Sequence, residues 1–482
     1  MTVHFAQTLE KLEQVVDRLR QSGMPDVVYH LTEEISTGEL TELEERLQMP
    51  LPASLSELIQ RCGSLNLLWC LPTHCIVADG PECSYKNSND LEQEQSILDD
   101  ITGEFGWNHE YIGYFTSYGE DTDSVADEQR YLILNYNGAG DPILLDMATS
   151  TTEPAVFCYH HELDQFTLLA ENLPAYIDTM LTLHGLWLWD WFKVADEHGI
   201  QLNSPPLQLW LRWLNMFCTM KLEDAQSLET LIHYTTMHGV DHPAVLQAFQ
   251  AYDPKDIFLA WEQHWQNIQH SQVPFSTWAV LVGETAGIGA ADWVRSLWEP
   301  ETAQAWTSLA QNNTLHAKGA FVSTRAYLSA RCLPEQEGLV CVCNHLLQDS
   351  AAEDKLEGYT ANGQLQHFRS PQIINWMRDK VNHPVDGWAI LFAHSRPTAE
   401  QLIEWLSDSE LHQKIATEAL DIMIHRDLLP ALEADAWADI SDLLLDSLQL
   451  VMLKKDKRRI EAVLKQLSDA DSHVRVMRGK ES

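Results

Sequence analysis

The 482-residue chain is poor in bases: 31 lysines and arginines stand against 71 aspartates and glutamates, a formal net charge of −40. A surface of that sign repels nucleic acid and anionic membranes, and it speeds encounter with basic proteins. No apolar run reaches bilayer-spanning length; the densest, Leu186–Val194, is broken by Asp190 and Lys193. The amino terminus acquires charge where a secretory signal would need an apolar stretch, so a cytoplasmic protein is expected. Nine cysteines without a C-x-x-C pair argue against a disulfide framework and for reduced, mostly buried thiols.

The usual signatures of catalysis are missing as well. There is no G-x-S-x-G elbow, no H-E-x-x-H helix, no phosphate-cradling G-x-x-x-x-G-K-[ST] and no dinucleotide G-x-G-x-x-G in a strand-to-helix context. Gly283–Gly289 lies between helical segments without a basic partner and reads as a loop. In His160-His161-Glu162 the neighbouring imidazoles of a strand point to opposite faces and cannot easily share an ion. On a helix Cys341 and His345 share a face while Cys343 points elsewhere, so buried cysteine is the better reading. The acidic pairs Asp99-Asp100, Glu120-Asp121 and Asp127-Glu128 have no surroundings that would desolvate one carboxyl for acid–base work. No catalytic residue, metal or cofactor is assigned.

What the chain does contain begins with Tyr131–Glu162. Three short apolar runs, YLILNY, PILLDM and PAVFCYHHE, are separated by segments rich in Gly, Asn, Asp, Ser and Thr, the pattern of an antiparallel meander. Asn137-Gly138 suits a tight hairpin. Upstream, Leu9, Leu12, Val15, Val16 and Leu19 mark a leader or docking helix. Ser36 and Glu39 can form a capping box ahead of Leu40, Leu43 and Leu47. A further helix over Pro52–Arg61 buries Leu55, Leu58 and Ile59. Strands are expected over Leu65–Cys70, His74–Ala78 and Tyr111–Thr116, with Asp79–Asn108 a polar excursion, part loop and part helix. Asn172 can cap a helix ending near His184.

These segments, in this order, resemble the SUKH superfamily. The matching features are the helix TGELTELEERLQM, LPASLSELI after Leu51-Pro52, the N-G-x-G-D turn before PILLDM, PAVFCYHHE, and LLAENLPAYIDTML. They cover about residues 35–183. Where family members often carry an Asn-Gly-Gly-like turn after the second helix, this chain has Cys62-Gly63-Ser64-Leu65-Asn66. The superfamily includes yeast glucan-synthesis regulators and many bacterial immunity proteins. The resemblance therefore implies a non-enzymatic binding protein, and specifically an immunity protein that covers a toxin.

After residue 185 the texture changes. Fifteen of the seventeen tryptophans lie there, and apolar residues recur at three- and four-residue spacing. Helices are expected from Leu186–Glu197 through Arg459–Leu467, with prolines near many of their starts. Asn312–Thr324 and Glu353–Ser370 are the segments that could instead be loops. Trp187, Trp189 and Trp191 are expected to pack between the two halves. No clean period appears, so an array of helical hairpins and an irregular α-helical domain are both compatible. The expected organisation is an N-terminal helix (1–34), a small α+β domain of antiparallel sheet and helices (35–185), and a larger all-α domain (186–482).

Charge then suggests a surface. Asp79–Glu128 holds about 14 acidic residues and one base, Lys86. The partner-binding residues inferred are Asp99, Asp100, Glu120, Asp121, Asp123, Asp127 and Glu128 for steering, with Trp107, Tyr114 and Tyr118 as exposed aromatic anchors. The expected partner is a basic toxin domain, with a nuclease as one candidate, and no nucleic acid or membrane is expected. The alternative is a regulatory scaffold whose helical half docks other proteins.

Overall fold

A computed structural model describes residues 5–71, 102–115, 130–137, 140–148, 153–188, 191–267, 275–302, 317–353, 357–381, 387–426, 428, 434–450, 454 and 457–466. The chain forms two compact units, Met1–Tyr252 with Leu259–Thr277, and Asp253–Phe258 with Trp278–Ser482. The fold is α+β in its N-terminal part and helical beyond.

Unit 1 opens with α1 (Phe5–Gln21), β1 (Val28–Leu31), α2 (Thr37–Leu47), α3 (Ala53–Arg61), β2 (Ser64–Cys70) and β3 (Thr102–Asn108). The meander follows as β4 (Tyr131–Tyr136), β5 (Pro142–Asp146), β6 (Ala155–His160) and β7 (Gln165–Ala170), closed by α4 (Leu173–Thr182). The chain continues through β8 (Leu186–Trp187), β9 (Ala195–Asp196), β10 (Gly199–Ile200), α5 (Pro205–Thr219), α6 (Leu228–His238) and α7 (Pro243–Phe249). One antiparallel sheet has the order β1-β2-β3-β8 and the other β4-β5-β6-β7; β9 and β10 pair separately.

Local chemistry explains the helix starts. The Ser36 hydroxyl accepts from Glu39 N while the Glu39 carboxylate accepts from Ser36 N, the reciprocal capping box, and Leu40, Leu43 and Leu47 face inward. Asn172 caps α4 by accepting from Ala175 N. The leader helix is part of the core: Leu12, Val15, Val16 and Leu19 pack in the same cluster as α2, α3 and both sheets.

Several expectations need correction. Residues 102–108 form the inner strand β3, paired along its whole length with β2. Its glycines disguise it: Gly103 lies under the Trp69 indole and Gly106 against the Leu65 carbonyl, where a Cβ would collide. Gly113–Phe115 pairs with β4 only through a short bridge, Tyr114 to Leu132. The meander has a fourth strand, β7. Leu186–Glu197 is not a helix, since Leu186 and Trp187 pair with Gly103 and Thr102. Trp187 and Trp191 pack edge to face at 5.9 Å inside the unit 1 core. Trp189, His74–Ala78 and Gly138 lie outside the described residues.

Of α8 (Pro254–Asn267), the residues to Phe258 belong to unit 2 and those from Leu259 to unit 1; unit 2 also carries α9 (Phe275–Thr285) from Trp278 onward, α10 (Ala291–Ser296), α11 (Ala317–Cys332) and α12 (Glu335–Glu353). It continues with α13 (Gly358–Leu365), α14 (Gln372–Arg378), α15 (Trp388–His394), α16 (Ala399–Ser407), α17 (Glu410–His425) and α18 (Ala434–Leu450). The two segments read as possible loops thus contain helical residues, in α11 and α13. Alternate helices stack: α11 packs on α13, α13 on α15, and α15 on α17, while α16 packs on α18. Helices α11, α13, α15 and α17 thus form one row, without a fixed repeat length. Its core holds Trp388, Phe392, Trp405 and Ile415. No helix among the described residues is long and apolar enough to cross a membrane.

Two unit 1 histidines give the fold a pH dependence. His238 is stacked between Phe217 and Tyr234, with centroids 4.2 and 4.1 Å away, and burial lowers its pKa to about 4. Burial, with a further push from His233, lowers His264 to about 4. In the unfolded chain both ionise near 6.5, so as pH falls below that value the unfolded state takes up protons the folded state refuses. Stability is therefore full above ~6.5 and declines toward ~4, by on the order of 1–3 kcal/mol per histidine. Denaturant midpoints measured from about pH 7 to about pH 5 should fall, and His238→Phe should flatten the decline.

Candidate protein-binding surface

Alternation along β4–β7 divides their side chains between two faces. Leu132, Leu134, Ile143, Leu145, Val156, Cys158 and Leu169 join the main core. Ile133, Leu144 and Tyr159 turn the other way and form a separate cluster with Phe115, onto which Tyr131, Tyr136 and Phe157 pack. Phe166 stacks on Tyr131 at 4.9 Å and 21° and meets Tyr159 at 4.8 Å, yet remains 39% exposed. The second face is thus predominantly aromatic, with one ring partly presented to solvent.

Backbone bonds fix where the acidic connection joins this face. Ile133 N donates to Gly113 O and Phe115 N donates to Tyr131 O, each at 2.9 Å. Just beyond, the Arg130 guanidinium grips Asp146 with two bonds, Nε to Oδ1 at 3.0 Å and Nη2 to Oδ2 at 2.8 Å. The same guanidinium lies 4.9 Å over the Tyr131 ring. The residues that flank 116–129 are therefore adjacent at the aromatic face. Its Tyr118, Glu120, Asp121, Asp123, Asp127 and Glu128 lie outside the described residues. So do Asp99 and Asp100, in the connection that joins β2 to β3, whose ends Cys70 and Thr102 are paired directly.

Two of the expected anchors are placed elsewhere. Trp107 is 1% exposed, and its indole N–H donates to Cys62 O at 2.9 Å. It is a core residue and is not available on the surface. Tyr114 is half-buried, and its hydroxyl donates to Leu47 O at 3.0 Å, tying the bridge to α2. The aromatic residues that do line the outer face, Tyr131, Phe157, Tyr159 and Phe166, were not singled out from the sequence. Their signal was alternation in YLILNY, AVFCYH and QFTLLA.

Beside β6, His160 and His161 meet one carboxylate. Asp141 is 1% exposed; its Oδ1 accepts from His161 N at 3.0 Å and lies 2.6 Å from His161 Nδ1, while Oδ2 is 3.6 Å from His160 Nδ1. His161 stands just past the end of β6, where alternation no longer keeps neighbours apart. Imidazole and amide partners offset the cost of burying the carboxylate and clamp the start of β5 to the end of β6. Among the described residues no group of three or more His, Cys, Asp or Glu is arranged to hold a metal ion. Cys341, Cys343 and His345 are half-buried on α12. Burial raises the pKa of Cys343 to about 11 and also raises that of Cys341, which Glu337 reinforces, so both favour the neutral thiol.

Helices packed on antiparallel sheets, with an aromatic sheet face adjoining an acidic connection, define a domain suited to protein contacts. Residues 34–179 match the SMI1 / KNR4 family (SUKH-1), and this part of the chain is a SUKH-superfamily domain. The match spans under a third of the 482 residues. Comparison with curated proteins and with solved structures returns no match.

Proposed function

We propose that the chain is a non-enzymatic, cytoplasmic protein-binding protein that neutralises a basic toxin domain through its SUKH domain. The observation that carries this reading is the pairing of Gly113 and Phe115 with Ile133 and Tyr131, which sets the two residues flanking 116–129, Phe115 and Arg130, beside the aromatic face. Acidic side chains there would steer a basic partner and compete with nucleic acid for a basic cleft, while Phe166 and Tyr131 supply apolar contact. Asp99 and Asp100 would add to the field.

The test begins with a tagged chain in its native host and recovery of bound protein at low and then moderate salt. Association is then measured for the recovered basic partner. Replacing Glu120, Asp121, Asp123, Asp127 and Glu128 by lysine should lower the on-rate about tenfold or more, with the difference shrinking as salt rises. An unchanged, salt-insensitive rate would sink the inhibitor reading.

A second reading, a regulatory scaffold, is favoured by the row of stacked helices in unit 2. It predicts that partners are retained by unit 2 and are indifferent to those five reversals.

A further inference from the structure

Unit 2 gathers positive charge at one edge of a strongly acidic chain. Helices α13, α15 and α17 lie side by side in one layer, and each is followed or ended by an arginine: Arg369, Arg396 and Arg426. Their ends are close together. Arg426 Nη1 lies 3.0 Å from His394 Nε2, the last residue of α15. Burial lowers the pKa of His394, and the charges of Arg426 and Arg369 lower it further. A neutral imidazole can accept at Nε2, so His394 holds Arg426 in place without sharing its charge.

All three arginines are exposed, and among the described residues none forms an ion pair. Arg369 and Arg396 sit at φ 52° and 53°, a left-handed conformation that glycine adopts more easily. Bases at helix C-termini do complement the macrodipole, which accounts for one base per end. It does not account for three unpaired guanidiniums brought together, since they repel one another, in a chain with 71 carboxylates against 31 bases.

We propose that this edge is a docking site for an acidic peptide segment of a protein partner, separate from the SUKH surface. Guanidinium forks match carboxylates two-pronged. Packed helices lie about 8–10 Å apart and an extended chain advances about 3.3 Å per residue, so carboxylates about three residues apart would meet successive arginines. A short acidic segment can remain on the row. A long nucleic acid would extend past three arginines along a chain of net charge −40, which repels it.

The probe is a short fluorescent peptide with glutamate at every third position, read by anisotropy against the full chain. Wild type should bind it, binding should weaken as salt rises, and a peptide with glutamine in place of glutamate should not bind. R369Q/R396Q/R426Q should weaken binding on the order of tenfold or more, corresponding to the loss of even one strong ionic contact. The helical circular dichroism of this variant is compared with wild type, and the single variants R369Q and R396Q serve if the triple does not fold. Failure of the glutamate peptide to bind at low salt, or equal binding to the variants, overturns the proposal. Equal or tighter binding of a single-stranded oligonucleotide overturns it in favour of a nucleic-acid edge.

Discussion

Replacing Trp69 with alanine is expected to destabilise unit 1 by about 3–5 kcal/mol. The indole is fully buried and stacks on Trp210 at 5.5 Å with the rings 5° apart. Its N–H donates to His184 O at 2.8 Å, so truncation also removes that carbonyl's partner. The contact with Gly103 supplies a sharper check. A Cβ at Gly103 would stand 1.9 Å from the indole ring, so Gly103→Ala should cost about 1–3 kcal/mol by overpacking. In the Trp69→Ala background most of that penalty should vanish, because the obstructing ring is gone. Denaturant unfolding of the two single variants and the double measures the coupling; equal Gly103→Ala penalties in both backgrounds would refute the packing described.

Arg130→Ala is expected to be the second large loss. The Asp146 carboxylate is 1% exposed, and Arg130 supplies both of its guanidinium bonds, with Ala148 N giving one more. Removing one partner of a buried pair costs about 3–5 kcal/mol. The Arg130 side chain is 38% exposed, so solvent screens the pair and about 2–3 kcal/mol is the expected value. Asp146→Asn in addition should recover part of the loss by removing the stranded charge. If the double variant is no more stable than Arg130→Ala, charge burial is not what the arginine offsets.

The elements legible in the sequence were those whose local signals agree with their surroundings. Ser36 with Glu39, Asn172, and the leucine stripes of α2 and α3 each state a helix start or a buried face within a few residues. Strand β3 was hidden because its two glycines satisfy tertiary neighbours, Trp69 and Leu65, that lie far away in the sequence. Residues 186–187 carry tryptophan-rich helical spacing, yet the β3 edge captures them as a strand. The site divides in the same way. Acidic charge is a property of composition and is visible in the sequence; exposure of an aromatic is set by the whole fold, which buries Trp107 and leaves Phe166 partly exposed. The arginine edge of unit 2 was invisible because its members lie 27 to 30 residues apart, at irregular intervals, and only stacking brings them together.

The paired bonds from Gly113 and Phe115 to β4 have a consequence for folding. They join the residues on either side of 116–129 through backbone groups. The closure entropy of a connection grows only logarithmically, by about 0.6 kcal/mol for each doubling of length. Changing the sequence or length of the connection between Phe115 and Arg130 is therefore expected to leave the melting behaviour of the frame nearly unchanged, which thermal unfolding of a variant with a doubled connection would check.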